Sequence, residues 1–264
     1  MNVKRPIMRY HGGKWRLAPW IIEHMPQHRI YTEAFGGAGS VLLQKPRSYA
    51  EIYNDIDGEV VNLFRILRDH GDELRRDLFM TPYSRTEFEL SYEPADDRIE
   101  QARRTMVRAA MVYGCNGFAK PGCFRYNSSR EGTIPAHDWA RLPEHIPVIV
   151  DRLRGVLIEQ EDALKIIKSH DSPSTLHYVD PPYLASTRSE KVGYKNELDE
   201  AGHIALAQAL QDVKGMSMVS GYPSPLYDEL YTGWHRLSRP SNTTGGQRTE
   251  VLWLSPNIDI RRLL

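Results

Sequence analysis

The residues with the clearest chemical potential are Asp180-Pro181-Pro182-Tyr183, which close the apolar run Leu176-His-Tyr-Val179. Prolines can neither donate to a β-ladder nor continue a helix, so a strand must stop here and leave Asp180 at its carboxyl end. In open α/β sheets that edge is where ligands bind. The two rings fix φ and leave nearby carbonyls without competing backbone partners. A carboxylate and the Pro181 carbonyl can then converge on one small donor, with the Tyr183 ring beside them as a stacking wall. An exocyclic amine on a flat base has the matching form, two N–H donors and an aromatic face. A plain proline turn capped by Asp180 would use the same four residues, so the surrounding chain must decide between them.

Three further stretches carry candidate ligand groups. Arg9-Tyr10-His-Gly12-Gly13-Lys14 precedes a helical pattern over 15–25. A lysine entering a helix N-terminus opposes the dipole, so the Lys14 cation serves a carboxylate or phosphate outside the helix, or is simply solvated. Ile30-Tyr-Thr-Glu33-Ala-Phe35-Gly36-Gly37-Ala-Gly39-Ser40 reads as a strand, a glycine turn that lets backbone approach a ligand, and a helix capped by Ser40. The spacing is neither GxGxxG nor a Walker loop, which disfavours a dinucleotide cofactor and nucleotide hydrolysis, while Glu33 suits an amino group better than a pyrophosphate. The next strand, 49–53, ends at Asn54-Asp55-Ile56-Asp57. Asp55 stands sixteen positions beyond Gly39, close to the roughly 20 at which nucleotide-binding folds place a ribose-binding carboxylate. Asp57 fits the N-cap of the following helix. Asp162, after a strand at 156–160, either caps a helix or faces the ligand edge.

The middle of the chain differs in character. Between Gln101 and Arg130 every charged residue is basic: Arg103, Arg104, Arg108, Lys120, Arg125 and Arg130. After helices at 74–79, 85–90 and 99–113, the stretch from Gly114 to Gly132 interleaves turn formers with Phe118, Phe124 and Tyr126. Such a loop suits phosphates and unstacked bases; aromatics packed beneath a long loop are the alternative.

Composition sets the outer bounds. A chain of 264 residues with formal net charge +0 can bury a sizeable core, and it does not coat nucleic acid by bulk charge, though a local basic face is compatible with it. Its two cysteines, Cys115 and Cys123, show neither CxxC nor zinc spacing and read as reduced thiols. No charged-then-apolar leader and no apolar run of spanning length is found, so the expectation is a cytoplasmic protein with no membrane partner. The later chain predicts helices at 203–210 and 226–231, a strand at 216–220, and an antiparallel pair at 235–237 and 250–254 across a loop at 241–247. A polar loop at 184–196 carries Lys191 and Tyr194, placed to close over a substrate.

Tyr10-His-Gly-Gly-Lys14, Glu33-Ala-Phe-Gly-Gly-Ala-Gly39, Asn54-Asp-Ile-Asp57, Asn116-Gly-Phe118 with Arg125-Tyr-Asn127, and Asp180-Pro-Pro-Tyr183 together, in this order, resemble the Dam-type (D12 class) family of DNA adenine-N6 methyltransferases. The resemblance spans Tyr10 to about Leu254. It implies an α/β class I methyltransferase fold, a Rossmann-like mixed sheet over 1–66 and 155–264, with an inserted, mainly helical target-recognition lobe over 67–154. It also implies S-adenosylmethionine as cofactor, held by Tyr10, Lys14, Glu33, Phe35, Gly36, Gly37, Gly39, Asp55, Ile56, Asp162 and Asp180. Asp180, Pro181, Pro182 and Tyr183 would receive a flipped adenine, and Asn116, Lys120, Arg125, Asn127 and Arg130 would contact double-stranded DNA, with no metal required. Methylation of another amino group, cytosine N4 or an adenine in RNA, fits the same tetrapeptide. The sequence departs from the family at His11, where a small residue is common, and over 128–135, which follows the recognition hairpin of the GATC enzymes only loosely.

Overall fold

The computed structural model describes residues 3–114, 121–127, 134–188, 193–243 and 246–262. They form two compact units, one of Met1–Gly13 with Asp57–Arg154, the other of Lys14–Ile56 with Gly155–Leu264. The second unit opens with α1 (Ala18–Glu23), β1 (Ile30–Glu33) and β2 (Ala50–Asn54). No helix follows the glycine turn, contrary to the expectation at Ser40: Leu43 and Lys45 bond back to Gly39 and Val41 in successive turns. The buried Glu33 carboxylate accepts from the Leu42 amide at 2.8 Å, and Pro46 bars continuation of these turns into a helix.

The first unit is helical. α2 (Gly58–Asp69) is capped by Asp57, α3 (Gly71–Met80) and α4 (Arg85–Leu90) follow, and α5 (Arg98–Met111) is capped by Asp97. α6 (Pro135–Arg141) and α7 (Ile146–Leu153) complete it. Helix α2, assigned from sequence to the catalytic region, groups with α5 and α7 instead, because its apolar residues Val60, Leu63, Phe64 and Leu67 are fully buried and Arg108 of α5 pairs with Glu59. The compact unit therefore begins at Asp57 rather than 67, and takes in residues 1–13.

The chain then returns to the sheet through β3 (Val156–Glu159), α8 (Ala163–Ser169), β4 (Thr175–Val179), α9 (Glu200–Gln211), β5 (Met216–Gly221), α10 (Pro225–Leu230), β6 (His235–Thr243) and β7 (Gly246–Leu254). The strand order is β3-β2-β1-β4-β5-β7-β6, with β1 to β5 parallel and β7 antiparallel to both β5 and β6. The last two strands are longer than the apolar pattern predicts, pairing from His235↔Leu254 out to Thr243↔Gly246. Backbone bonding carries this polar part of the hairpin, and Pro240 is tolerated because β6 is an edge. Trp253, Val219, Val179, Leu206 and Tyr227 lie in the core cluster on one side of the sheet. Among the described residues, no helix is long and apolar enough to cross a membrane.

Candidate active site

Sequential strands β1, β2 and β3 run outward to one side, and β4 starts the other side next to β1. Ligands of open α/β sheets bind outside the carboxyl ends of strands at such a switch. Glu33 ends β1, Asn54 ends β2 with Asp55 directly after it, Asp180 follows β4 and Gly221 ends β5. These parallel strands bring residues far apart in sequence to one edge.

All five residues of β4 are buried, which fixes the start of the proline turn. Ser220 of β5 donates its hydroxyl to Asp180 Oδ1 at 2.8 Å, and Tyr178 lies 3.0 Å from the same Ser220 oxygen. Since the serine proton is committed to the carboxylate, Tyr178 must donate to Ser220, giving a directed chain from Tyr178 through Ser220 to Asp180. The other oxygen, Oδ2, lies 3.0 Å from Lys14 Nζ, which is also 4.6 Å from the Tyr183 ring centroid. One buried ammonium thus touches both the acid and the aromatic face. Burial works against its charge, but the Asp180 and Glu250 carboxylates outweigh it and hold Lys14 above the ordinary lysine range. Tyr183, buried, donates to Glu250 Oε2 at 2.8 Å and meets Tyr222 edge-on at 4.6 Å. Tyr194 lies in the same electrostatic neighbourhood. Burial pushes its hydroxyl up to about 12, and the Arg188 guanidinium stands 5.3 Å from its ring. Lys191 lies outside the described residues.

The glycine turn is built against β2. Gly36 N–H donates to Asn54 O at 2.7 Å, Tyr53 hydroxyl donates to Gly37 O at 2.6 Å, and Gly37 N–H donates to Asp55 Oδ2 at 2.7 Å. Gly37 and Gly39 adopt φ of 47° and 60°, and a Cβ at Gly36 would stand 2.2 Å from the Tyr53 ring. Asn54 donates to Ala34 O and Glu161 O and accepts from Glu161 N–H, joining the loops after β1 and β3. Glu33 accepts from Tyr31 hydroxyl and Leu42 N–H, and burial pushes its carboxyl up to about 8. Phe35 packs against the core cluster, whereas Ile56 at the tip of β2 is 54% exposed. Asp162 caps α8, accepting from Leu164 and Lys165 N–H. Tyr10 falls in the helical unit, where its carbonyl accepts from Gly13 N–H.

The part of the basic stretch that lies on α5 is neutralised inside the helical unit. Arg103 pairs with Glu87 and Glu100, Arg104 with Glu100, and Arg108 with Glu59. These arginines form structural ion pairs with acids on α2, α4 and the first turn of α5. Phe124 packs between Tyr83 and Phe88. Tyr126 is 73% exposed, and Arg85, a cation with no place in the sequence reading, lies over both Phe124 and Tyr126. Arg125 is half-buried and Asn127 exposed; Asn116, Phe118, Lys120 and Arg130 lie outside the described residues.

The family model for the D12 class N6 adenine-specific DNA methyltransferases matches residues 10–244. The chain belongs to this family. It is therefore an adenine-specific DNA methyltransferase, acting on DNA at specific sites. Among similar curated proteins is a DNA adenine methylase of Salmonella typhimurium, 26% identical over 270 residues, covering 95% of this chain and 94% of the relative. The DNA adenine methylase of Escherichia coli strain K12 is 25% identical over 266 residues with the same coverage. The type II methyltransferase M1.LlaDCHI of Lactococcus lactis subsp. cremoris is 25% identical over 277 residues, with 94% of each chain covered. Around Asp180 and Tyr183 the candidate site also contains groups the sequence reading did not assign: Ser220, Tyr222 and Glu250. Glu250 had one visible signal, an acid opening the apolar run Val251-Leu-Trp-Leu254.

Proposed function

We propose that this enzyme, working in the cytoplasm, methylates N6 of an adenine flipped out of double-stranded DNA, with S-adenosylmethionine as donor. The observation that carries the reading is the Lys14 ammonium, a nitrogen donor seated at once on the Asp180 carboxylate and the Tyr183 ring. A flipped adenine matches both partners, its N–H donors facing the carboxylate and its π face the ring.

The donor set suits S-adenosylmethionine. Asp55 is a carboxylate at the tip of β2 that accepts from a turn amide, and carboxylates so placed take ribose hydroxyls. Gly36, Gly37 and Gly39 keep side chains off that turn, and exposed Ile56 offers an apolar surface to a flat base. Glu33, Phe35, Lys14, Tyr10 and Asp162 complete the set that the family resemblance implies. When bound, the cofactor supplies an electrophilic methyl group.

The protein's own contribution is orientation. Adenine N6 is a poor nucleophile because its lone pair is delocalised into the ring. Hydrogen bonds from its two protons to Asp180 and the Pro181 carbonyl favour a pyramidal nitrogen, and Tyr183 offsets part of the few kcal/mol of unstacking. Ser220 keeps Asp180 from rotating, so no reorganisation is needed at the moment of transfer. On the DNA side, Arg125 and Asn127 with Asn116, Lys120 and Arg130 remain the proposed contacts. Sequencing DNA from a methylation-free host that expresses the protein tests the reading. N6-methyladenine at one recurrent site is the expected result; N4-methylcytosine, or methylation confined to RNA, would refute it.

A further inference from the structure

Glu250 takes no part in the chemistry above, yet its surroundings are unusual for an acid. It opens the buried half of β7, is 5% exposed and is followed by the core residues Val251, Leu252, Trp253 and Leu254. Burial raises its pKa, against the pull of Lys14 and of the Tyr183 hydrogen bond. An apolar residue there would pack without any desolvation cost. What the carboxylate provides is an anchor for the Tyr183 hydroxyl at 2.8 Å, and the Tyr222 edge stands against the same ring at an interplanar angle of 70°.

The position of that ring matters because one atom, Lys14 Nζ, lies 3.0 Å from Asp180 Oδ2 and 4.6 Å from the Tyr183 centroid. The ring face and the acid therefore border a common spot. Only the far hydroxyl can fix the ring without occupying that face. We propose that Glu250 is a positioning residue that tethers Tyr183 in the plane against which the target adenine stacks. The inference rests on the stacking role given to Tyr183 above.

The test measures transfer of tritiated methyl groups from S-adenosylmethionine to DNA of a methylation-free host, with cofactor affinity by calorimetry and folding by circular dichroism. Tyr183→Ala should abolish turnover. Tyr183→Phe and Glu250→Ala should each lower kcat about ten-fold, the worth of one buried hydrogen bond, with cofactor affinity unchanged. The double variant should be no slower than the slower single one, since both remove the same bond. Glu250→Gln, whose amide oxygen still accepts the phenol, should restore most of the rate; should Glu250→Ala fail to fold, Tyr183→Phe and Glu250→Gln carry the comparison. Wild-type turnover in Glu250→Ala or Tyr183→Phe, losses that multiply in the double variant, or a Glu250→Gln rate as low as that of Tyr183→Phe would overturn the tether. If Tyr183→Ala keeps full activity, the stacking role falls and the tether with it, whereas an inactive Tyr183→Ala beside an active Glu250→Ala sinks the tether alone.

Discussion

Asp180 divides its work between two oxygens. Oδ1 is held by Ser220, itself held by Tyr178, and Oδ2 meets a nitrogen cation. A carboxylate fixed on one side and presented on the other can grade a nitrogen's geometry in a way that a freely rotating one cannot. Asp180→Ala is expected to lose methyl transfer entirely while keeping the native circular dichroism spectrum; measurable turnover would remove Asp180 from the reaction. Asp55 plays a different part, since its partner is the Gly37 amide. Asp55→Ala should weaken cofactor binding about ten- to a hundred-fold, as expected for loss of charge-assisted hydrogen bonds, and an unchanged dissociation constant by calorimetry would contradict the ribose role.

At the scale of elements, the turn after β1 works only because the end of β2 supplies a hydroxyl-bearing aromatic plate, an amide and an acid in three successive positions, Tyr53, Asn54 and Asp55. Gly36→Ala would drive a methyl group into the Tyr53 ring, whose displacement breaks its bond to Gly37 O. Overpacking of this kind costs about 1–3 kcal/mol and should lower Tm by roughly 2–10 °C, with cofactor affinity falling alongside. The strands bearing the site were legible because short apolar runs end in residues that stop strands, as Val179 does before Asp180-Pro-Pro. The chain after Gly39 was not, because Ser40 and the apolar run behind it look like a helix start while the turns they form stop short at Pro46. Nor did the run of arginines reveal its own neutralisation, since Glu59 and Glu87 lie on other helices. Tyr183 and Glu250, 67 residues apart, meet only once β7 has inserted beside β5.

For the whole molecule, balanced charge conceals two buried groups that titrate against one another. Burial pushes Glu33 up from 4.5 to about 8. Between those limits the native state keeps a proton that the unfolded chain has lost, so this contribution is full below pH 4.5 and is lost as pH rises through about 8. Burial pushes His177 down from 6.5 to about 4, against the pull of Asp171. Its contribution is full above pH 6.5 and is lost as pH falls through about 4. The two slopes offset each other between pH 4.5 and 6.5, leaving a decline above 6.5 as Glu33 ionises. Glu33→Gln should therefore shrink the fall in Tm between pH 6.5 and 8, and an undiminished fall would mean that Glu33 is already ionised in the folded protein.

The side-chain amide of Asn54 reaches both neighbours of its strand, giving protons to Ala34 and Glu161 and taking one back from Glu161. Aspartate has the same outline but no proton to give. Such a swap would set a negative charge against two carbonyl oxygens and prise the flanking segments from the strand between them. The spacing of this rim, where acid, glycines and aromatic ring must keep step, therefore hangs on two hydrogens.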